Sequence, residues 1–131
     1  MQTVLVVVLA LHVLSSVFWA GSSFTLARTG GRGAAALFRP QMGAATVAVL
    51  TGLYLWQAVH SGPAGTPERV LGVGIAAAIV AAGVQGWWVG RGLKAGLGAD
   101  GAPDAGIARA YRIASVLLML TVVCMAIARY V

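Results

Sequence analysis

TVLVVVLALHVLSSVFWAGSSFTLA, residues Thr3–Ala27, contains no Asp, Glu, Lys or Arg. A helix of about 20 apolar residues crosses the hydrocarbon core of a bilayer, so this run is long enough to span it alone. Met1-Gln2-Thr3 ahead of it lacks the basic n-region of a secretory signal. The run is also too long for a typical h-region, and it is predicted to be a retained helix. Arg28 ends it, and Gly30, Gly31 and Gly33 in the next turn break the helix.

Three further apolar runs follow, giving predicted spans near 3–27, 40–60, 68–90 and 107–129. The second opens at Arg39-Pro40, with proline in a first turn, and stops at Ser61-Gly62-Pro63. The third starts at Glu68-Arg69 after Pro67. The polar stretch Arg91–Asp104, with Lys94, Asp100 and Pro103, reads as a flexible loop. Of the 131 residues, 60% are hydrophobic and 9% charged, whereas a soluble domain carries roughly a quarter charged. The fold class is all-α and integral to the membrane. One domain, residues 1–131, forms a four-helix up-down bundle with antiparallel neighbours.

The net charge of +6 does not indicate nucleic acid, because the cations end apolar runs and are not interleaved with aromatics. Arg28, Arg32, Arg39, Arg91, Lys94, Arg109 and Arg112 share one side, against Arg69 and Arg129 on the other. Basic loops stay cytoplasmic. Both termini are therefore predicted outside (periplasmic), with the chain multi-pass in the inner (cytoplasmic) membrane. Trp87, Trp88 and Tyr111 are assigned to the inner interface, Trp56 and Tyr130 to the outer. Ala78, Ala82, Gly86 and Gly90 form a small-residue row suited to close packing, within the bundle or in a homo-oligomer.

His12, Ser15, Ser16, Trp19, Ser22 and Ser23 recur at helical spacing on the first span. Polar groups in hydrocarbon need partners, so this face is predicted to turn inward. It places an imidazole ~14 Å below the outer edge. That ring is suited to ligating haem iron or copper, to relaying a proton, or simply to a hydrogen bond between helices. Gly43, Thr46, Leu50, Tyr54, Gln57 and His60 trace a matching face on the second span, with Tyr54 near the depth of His12 and a predicted bond between them. His60 lies ~13 Å higher, too far for both histidines to ligate one haem. Met119 stands at the depth of His12, so a His/Met haem pair is one alternative. His60, Cys124, Met125 and Met1 at the outer end favour Cu(I) as another. Arg109 and Arg112 suit a haem propionate or a lipid phosphate, and Gln85 is a lone amide among Ala, Gly and Trp.

Several chemistries have no residues to carry them. Glu68, Asp100 and Asp104 all fall in connections, leaving no carboxylate in a span for a cation pump. The single cysteine excludes an internal disulfide and a CxxC pair, and there is no phosphate-binding glycine loop.

Leu11-His12-Val13-Leu14-Ser15-Ser16-Val17-Phe18-Trp19-Ala20-Gly21 resembles the opening helix of the membrane domain of copper-resistance protein D. It also resembles that of HemJ-type protoporphyrinogen oxidases. Arg39-Pro40 and Thr51-Gly52-Leu53-Tyr54-Leu55-Trp56 extend the likeness into the second helix. The resemblance implies a four-helix bundle around a histidine, with haem b or copper bound and His12 as the ligand. A redox or metal-handling role with a membrane electron-transfer partner follows from it. The basic residue that accompanies the histidine in HemJ-type proteins has no equivalent here. Against this stands a scaffold or subunit without cofactor, whose polar faces serve packing alone. The residues themselves leave both open, and with them whether the chain is an enzyme.

Overall fold

Backbone N–H and C=O groups in hydrocarbon have no water to bond, so an apolar chain satisfies them within helices. The computed structural model describes residues 1–98 and 101–131. Its four long helices are α1 (Gln2–Arg28), α2 (Ala34–Val59), α3 (Thr66–Lys94) and α4 (Ala105–Ala128), each long and apolar enough to cross a membrane. Asp100, read above as a loop carboxylate, lies outside the described residues.

Two boundaries differ from those predicted. α2 begins at Ala34 rather than at Arg39-Pro40, because Ala34-Ala35-Ala36-Leu37-Phe38 are good helix formers behind Gly33 at φ +88°. Pro40 therefore lies inside α2, where its missing N–H leaves one carbonyl of the preceding turn without its usual donor. α3 runs past Gly90 to Lys94 because a π-helical turn at Gln85–Val89 carries the chain through. One residue too many per turn shifts the helix phase. As a result Gln85, Val89 and Gly90 are buried while Trp87 and Trp88 face out.

The two short connections at the basic end touch each other: Asp104 N–H donates to Gly30 O at 3.1 Å. At the opposite, terminal end, Gln2, His60 and Met125 border one cavity. The helices thus alternate in direction around the bundle. α1 packs on α2 and α4, and α4 packs on α3; the α2–α3 seam is the thinnest. Small residues set the tight seams. Gly74, Ala77 and Ala81 of α3 are buried, as are Ala110 and Ala114 of α4, and Thr121 Oγ1 donates across to Gly74 O at 2.9 Å. The outward faces, such as Val6, Leu14, Val17, Leu50 and Val116, are exposed apolar surface for lipid.

The row Ala78, Ala82, Gly86, Gly90 turns toward α2. A side chain at Gly90 would meet Phe38 at 3.2 Å, and one at Gly86 would meet the Met42 sulfur at 3.7 Å. Ala78 and Ala82 pack against the core, while Gly86 is exposed.

Lipid tails are as apolar as the side chains, so polar bonds weigh heavily in fixing helix arrangement. Two such sets of bonds, one joining α1 to α3 and one joining α4 to α2 and α1, together reach all four helices. Trp19 Nε1 donates to Gln85 Oε1 at 2.6 Å, and Gln85 Nε2 donates to Ser23 Oγ at 2.6 Å. Tyr111 donates to Gln41 Oε1 at 2.7 Å, and Gln41 Nε2 donates to Ser22 Oγ at 2.8 Å. Trp19, Ser23, Gln41, Gln85 and Tyr111 are all buried. Tyr111 is thus an interior hydrogen-bond donor, not the interface anchor that its place near a helix end predicted.

Gly31 holds the α1–α2 connection against α4. Its φ of +79° lies in the left-handed region, and an added Cβ would come 2.8 Å from Ile107 Cγ2. Gly31→Ala is expected to cost about 2 kcal/mol from the backbone conformation alone, seen as a lower melting temperature of the detergent-solubilised protein. An unchanged melt would show that the connection relaxes freely.

Candidate functional site

His12 sits in mid-helix on α1, one face of which carries Trp19 and Ser23 into the core. Its inward direction is as predicted. Ser15 satisfies its hydroxyl on Leu11 O one turn back, whereas His12, like Trp19, Ser22 and Ser23 deeper on this face, looks across to another helix. It finds α2. Nδ1 lies 2.9 Å from Ala48 O and 3.1 Å from Thr51 Oγ1.

These two bonds define the tautomer. A carbonyl oxygen only accepts, and Thr51 spends its one hydroxyl proton on Val47 O at 2.6 Å. Nδ1 must therefore carry hydrogen, and in the neutral ring the lone pair is then on Nε2. Among the described residues Nε2 has no hydrogen-bond partner. An imidazole held through one N–H by a backbone carbonyl, with the other nitrogen free, is the arrangement metal-ligating histidines adopt.

Gly52 makes the approach possible. A Cβ there would come 3.0 Å from His12 Cε1 and 3.4 Å from Nδ1, so any side chain would displace the ring. Thr51 and Gly52 together form the seat of His12.

The predicted partner face of α2 is not the one that turns inward. Tyr54 is 40% exposed, Leu50 62%, and Gly43, Thr46 and Gln57 are exposed too. The buried face is Gln41, Ala45 and Ala48. Small residues allow the close α1–α2 approach, while Thr46 satisfies its own hydroxyl on Met42 O. The His12–Tyr54 bond is not made: Tyr54 lies two residues past Gly52, about 200° round the helix.

Two cavities meet at His12. The inner one, about 60 Å³, is bounded by all four helices, with Trp19, Ala48, Ile75, Thr121 and Met125 among its walls. The outer one, about 360 Å³, reaches the terminal end and is walled by Leu9, Trp56, His60, Leu71 and Met125. His12, Gly52, Ile75 and Met125 border both.

The structure brings His12, His60 and Met125 to this space. His60 stacks on Trp56 with ring centroids 5.5 Å apart, and its buried Nδ1 has no hydrogen-bond partner among the described residues. Cys124 is buried against α3 at Gly74 and does not border the cavity. Met1 is 95% exposed. Among the described residues, no cluster of three or more His, Cys, Asp or Glu side chains is placed to hold a metal ion.

The residues expected to serve haem are dispersed. Met119 and Arg112 lie with Phe24, Arg28 and Ser115 in a groove between α1 and α4, away from His12. Arg109 is exposed on the same helix, and Tyr54 faces lipid. The space beside the ring on the inner side, about 60 Å³, is far below the ~300 Å³ at which organic-ligand pockets begin. The set does not fit a haem held by His12 and Met119.

Gln41 is the residue that sequence reasoning missed. An amide in an apolar run was its signal, the same signal that singled out Gln85. No family model matches the chain, and no curated protein or solved structure matches it.

Proposed function

We propose that this chain is a small membrane protein that handles a soft metal ion, Cu(I), in the cavity beneath its terminal end. The observation that carries this is the geometry of His12: Nδ1 is committed to Ala48 and Thr51, and Nε2 is free beside a cavity that Met125 also borders. Imidazole and thioether donors in an apolar, water-poor setting favour Cu(I) over harder divalent ions. His60, with its unpartnered Nδ1 on the outer cavity, supplies a donor nearer the surface. The two imidazoles are separated along the bundle and act as successive ligands, not as one chelate.

The excess of Lys and Arg at the other end favours placing that end in the cytoplasm. On this reading both termini and the cavity mouth face the periplasmic side of the inner membrane. The Thr51-Gly52 seat and His12 are also the residues that carry the resemblance to the copper-resistance D group. The competing reading, a scaffold without cofactor, draws on the two buried hydrogen-bond sets, Trp19–Gln85–Ser23 and Tyr111–Gln41–Ser22, which tie the helices together with no ligand.

Titration of the purified protein with Cu(I) under ascorbate, against a chromogenic chelator, separates these readings. Wild type is expected to hold one ion per chain. His12→Ala and Met125→Leu remove donors outright and are expected to weaken it by at least about 10–100-fold, the cost of losing only a hydrogen-bond partner of a metal ligand. Equal binding by wild type and His12→Ala would leave the scaffold. A Soret band abolished by His12→Ala, after haem-replete expression, would replace copper with haem.

A further inference from the structure

The basic end carries more positive charge than the protein itself answers. Arg28, Arg32, Arg39, Arg91, Lys94, Arg109 and Arg112 lie on its helix ends and connections. Asp104 is the one carboxylate there among the described residues, and it is engaged in accepting from Ile107 N–H at 2.9 Å. Three of these cations, Arg39 on α2 and Arg91 and Lys94 on α3, line a single groove of about 730 Å³ at the thin α2–α3 seam. Gly86 and Gly90 contribute no side chains to its floor, while Phe38, Leu93 and Leu97 make its walls apolar. Trp87, 69% exposed, stands at its edge with the Arg91 guanidinium 5.1 Å from its ring centroid.

We infer that this groove binds an anionic phospholipid with two phosphates, of the diphosphatidylglycerol (cardiolipin) type. Two features select that ligand. Cations stand on both walls, so each wall can take one phosphate: Arg39 on one side, Arg91 and Lys94, one helical turn apart, on the other. Apolar side chains and an exposed tryptophan border the same space, which matches acyl chains leaving a headgroup and not a soluble phosphate. Basic pockets between helices at the membrane surface bind such headgroups through charge and bidentate guanidinium contacts. The lipid fills the seam that α2 and α3 leave loosely packed and so acts as part of the bundle.

Native mass spectrometry of the full chain, with cardiolipin, phosphatidylglycerol or phosphatidylethanolamine added in turn, tests this. Cardiolipin adducts are expected to outlast the other two and to raise the melting temperature. Arg39→Gln/Arg91→Gln should weaken cardiolipin binding by about thirtyfold, the factor that two headgroup-bound arginines supply. Arg32→Gln/Arg109→Gln removes the same charge from the same end but outside the groove, and should leave binding within about twofold. Equal losses in the two variants would reduce the effect to bulk charge and overturn the site. Phosphatidylglycerol binding as tightly as cardiolipin would overturn the two-phosphate assignment. None of these outcomes depends on Cu(I) binding at the far end.

Discussion

Gln85→Leu is expected to destabilise the bundle by about 1–3 kcal/mol, although leucine nearly fills the same volume. The amide is completely buried at the start of the π-helical turn and serves two partners. Its loss strands the Trp19 indole N–H, itself 2% exposed, with no water to replace the acceptor. An orphaned buried donor costs roughly 1–3 kcal/mol. Ser23 fares better, since a helical serine can return its hydroxyl to the carbonyl one turn back. Trp19→Phe removes the stranded donor, so the double variant should be less damaged than the sum of the singles. Its coupling energy should lie toward ~1.7 kcal/mol, the upper end for hydrogen bonds between membrane helices. Reversible unfolding in mixed micelles measures all four corners of that cycle. A zero coupling would mean that the network does not hold these helices in place.

Gly52→Val should cost Cu(I) affinity by about 10–100-fold while leaving the four helices formed. The added atoms enter where Cε1 of His12 now lies, 3.0 Å from the position of a Cβ. The ring cannot retreat and keep its bonds, because Ala48 O and Thr51 Oγ1 belong to the same helix as the intruding side chain. It therefore swings off its seat, Nδ1 loses its acceptors, and Nε2 no longer points where it did. Overpacking of this kind also destabilises, by ~1–3 kcal/mol. His12→Ala placed beside Gly52→Val should recover that stability, since the ring that clashes is gone, and should not recover binding. Recovery of both would mean that His12 is not a ligand. Retention of full affinity by Gly52→Val alone would show that the seat is irrelevant to the metal.

The inward direction of the α1 stripe was legible because its polar residues are many and evenly spaced, and each would be costly against lipid. On α2 the same reasoning picked the wrong side. Thr46 and Tyr54 stand out as polar, yet a threonine bonded to its own helix and a tyrosine tolerate lipid contact. Ala45, Ala48 and Gly52 do the packing because they are small, and alanine is too common in this chain to mark a face. Tyr111 misled in the opposite way. Its place near a helix end suits an interfacial anchor, and its acceptor, Gln41, is 70 residues away in sequence, so no local pattern announces the pair.

Four apolar runs, their polar breaks and the lopsided distribution of arginine follow from residue chemistry taken one at a time. Hydrocarbon thickness and the cost of exposed peptide groups act on each run separately, and no knowledge of neighbours is needed. Which side of α2 meets α1, that Nδ1 and not Nε2 of His12 is engaged, and that Met125 joins the histidines while Cys124 and Met119 do not, emerged only on folding. Those outcomes depend on helix phase about the bundle axis. A shift of one residue turns a side chain by about 100°, and the phase is settled by close packing and by bonds between residues far apart in the chain.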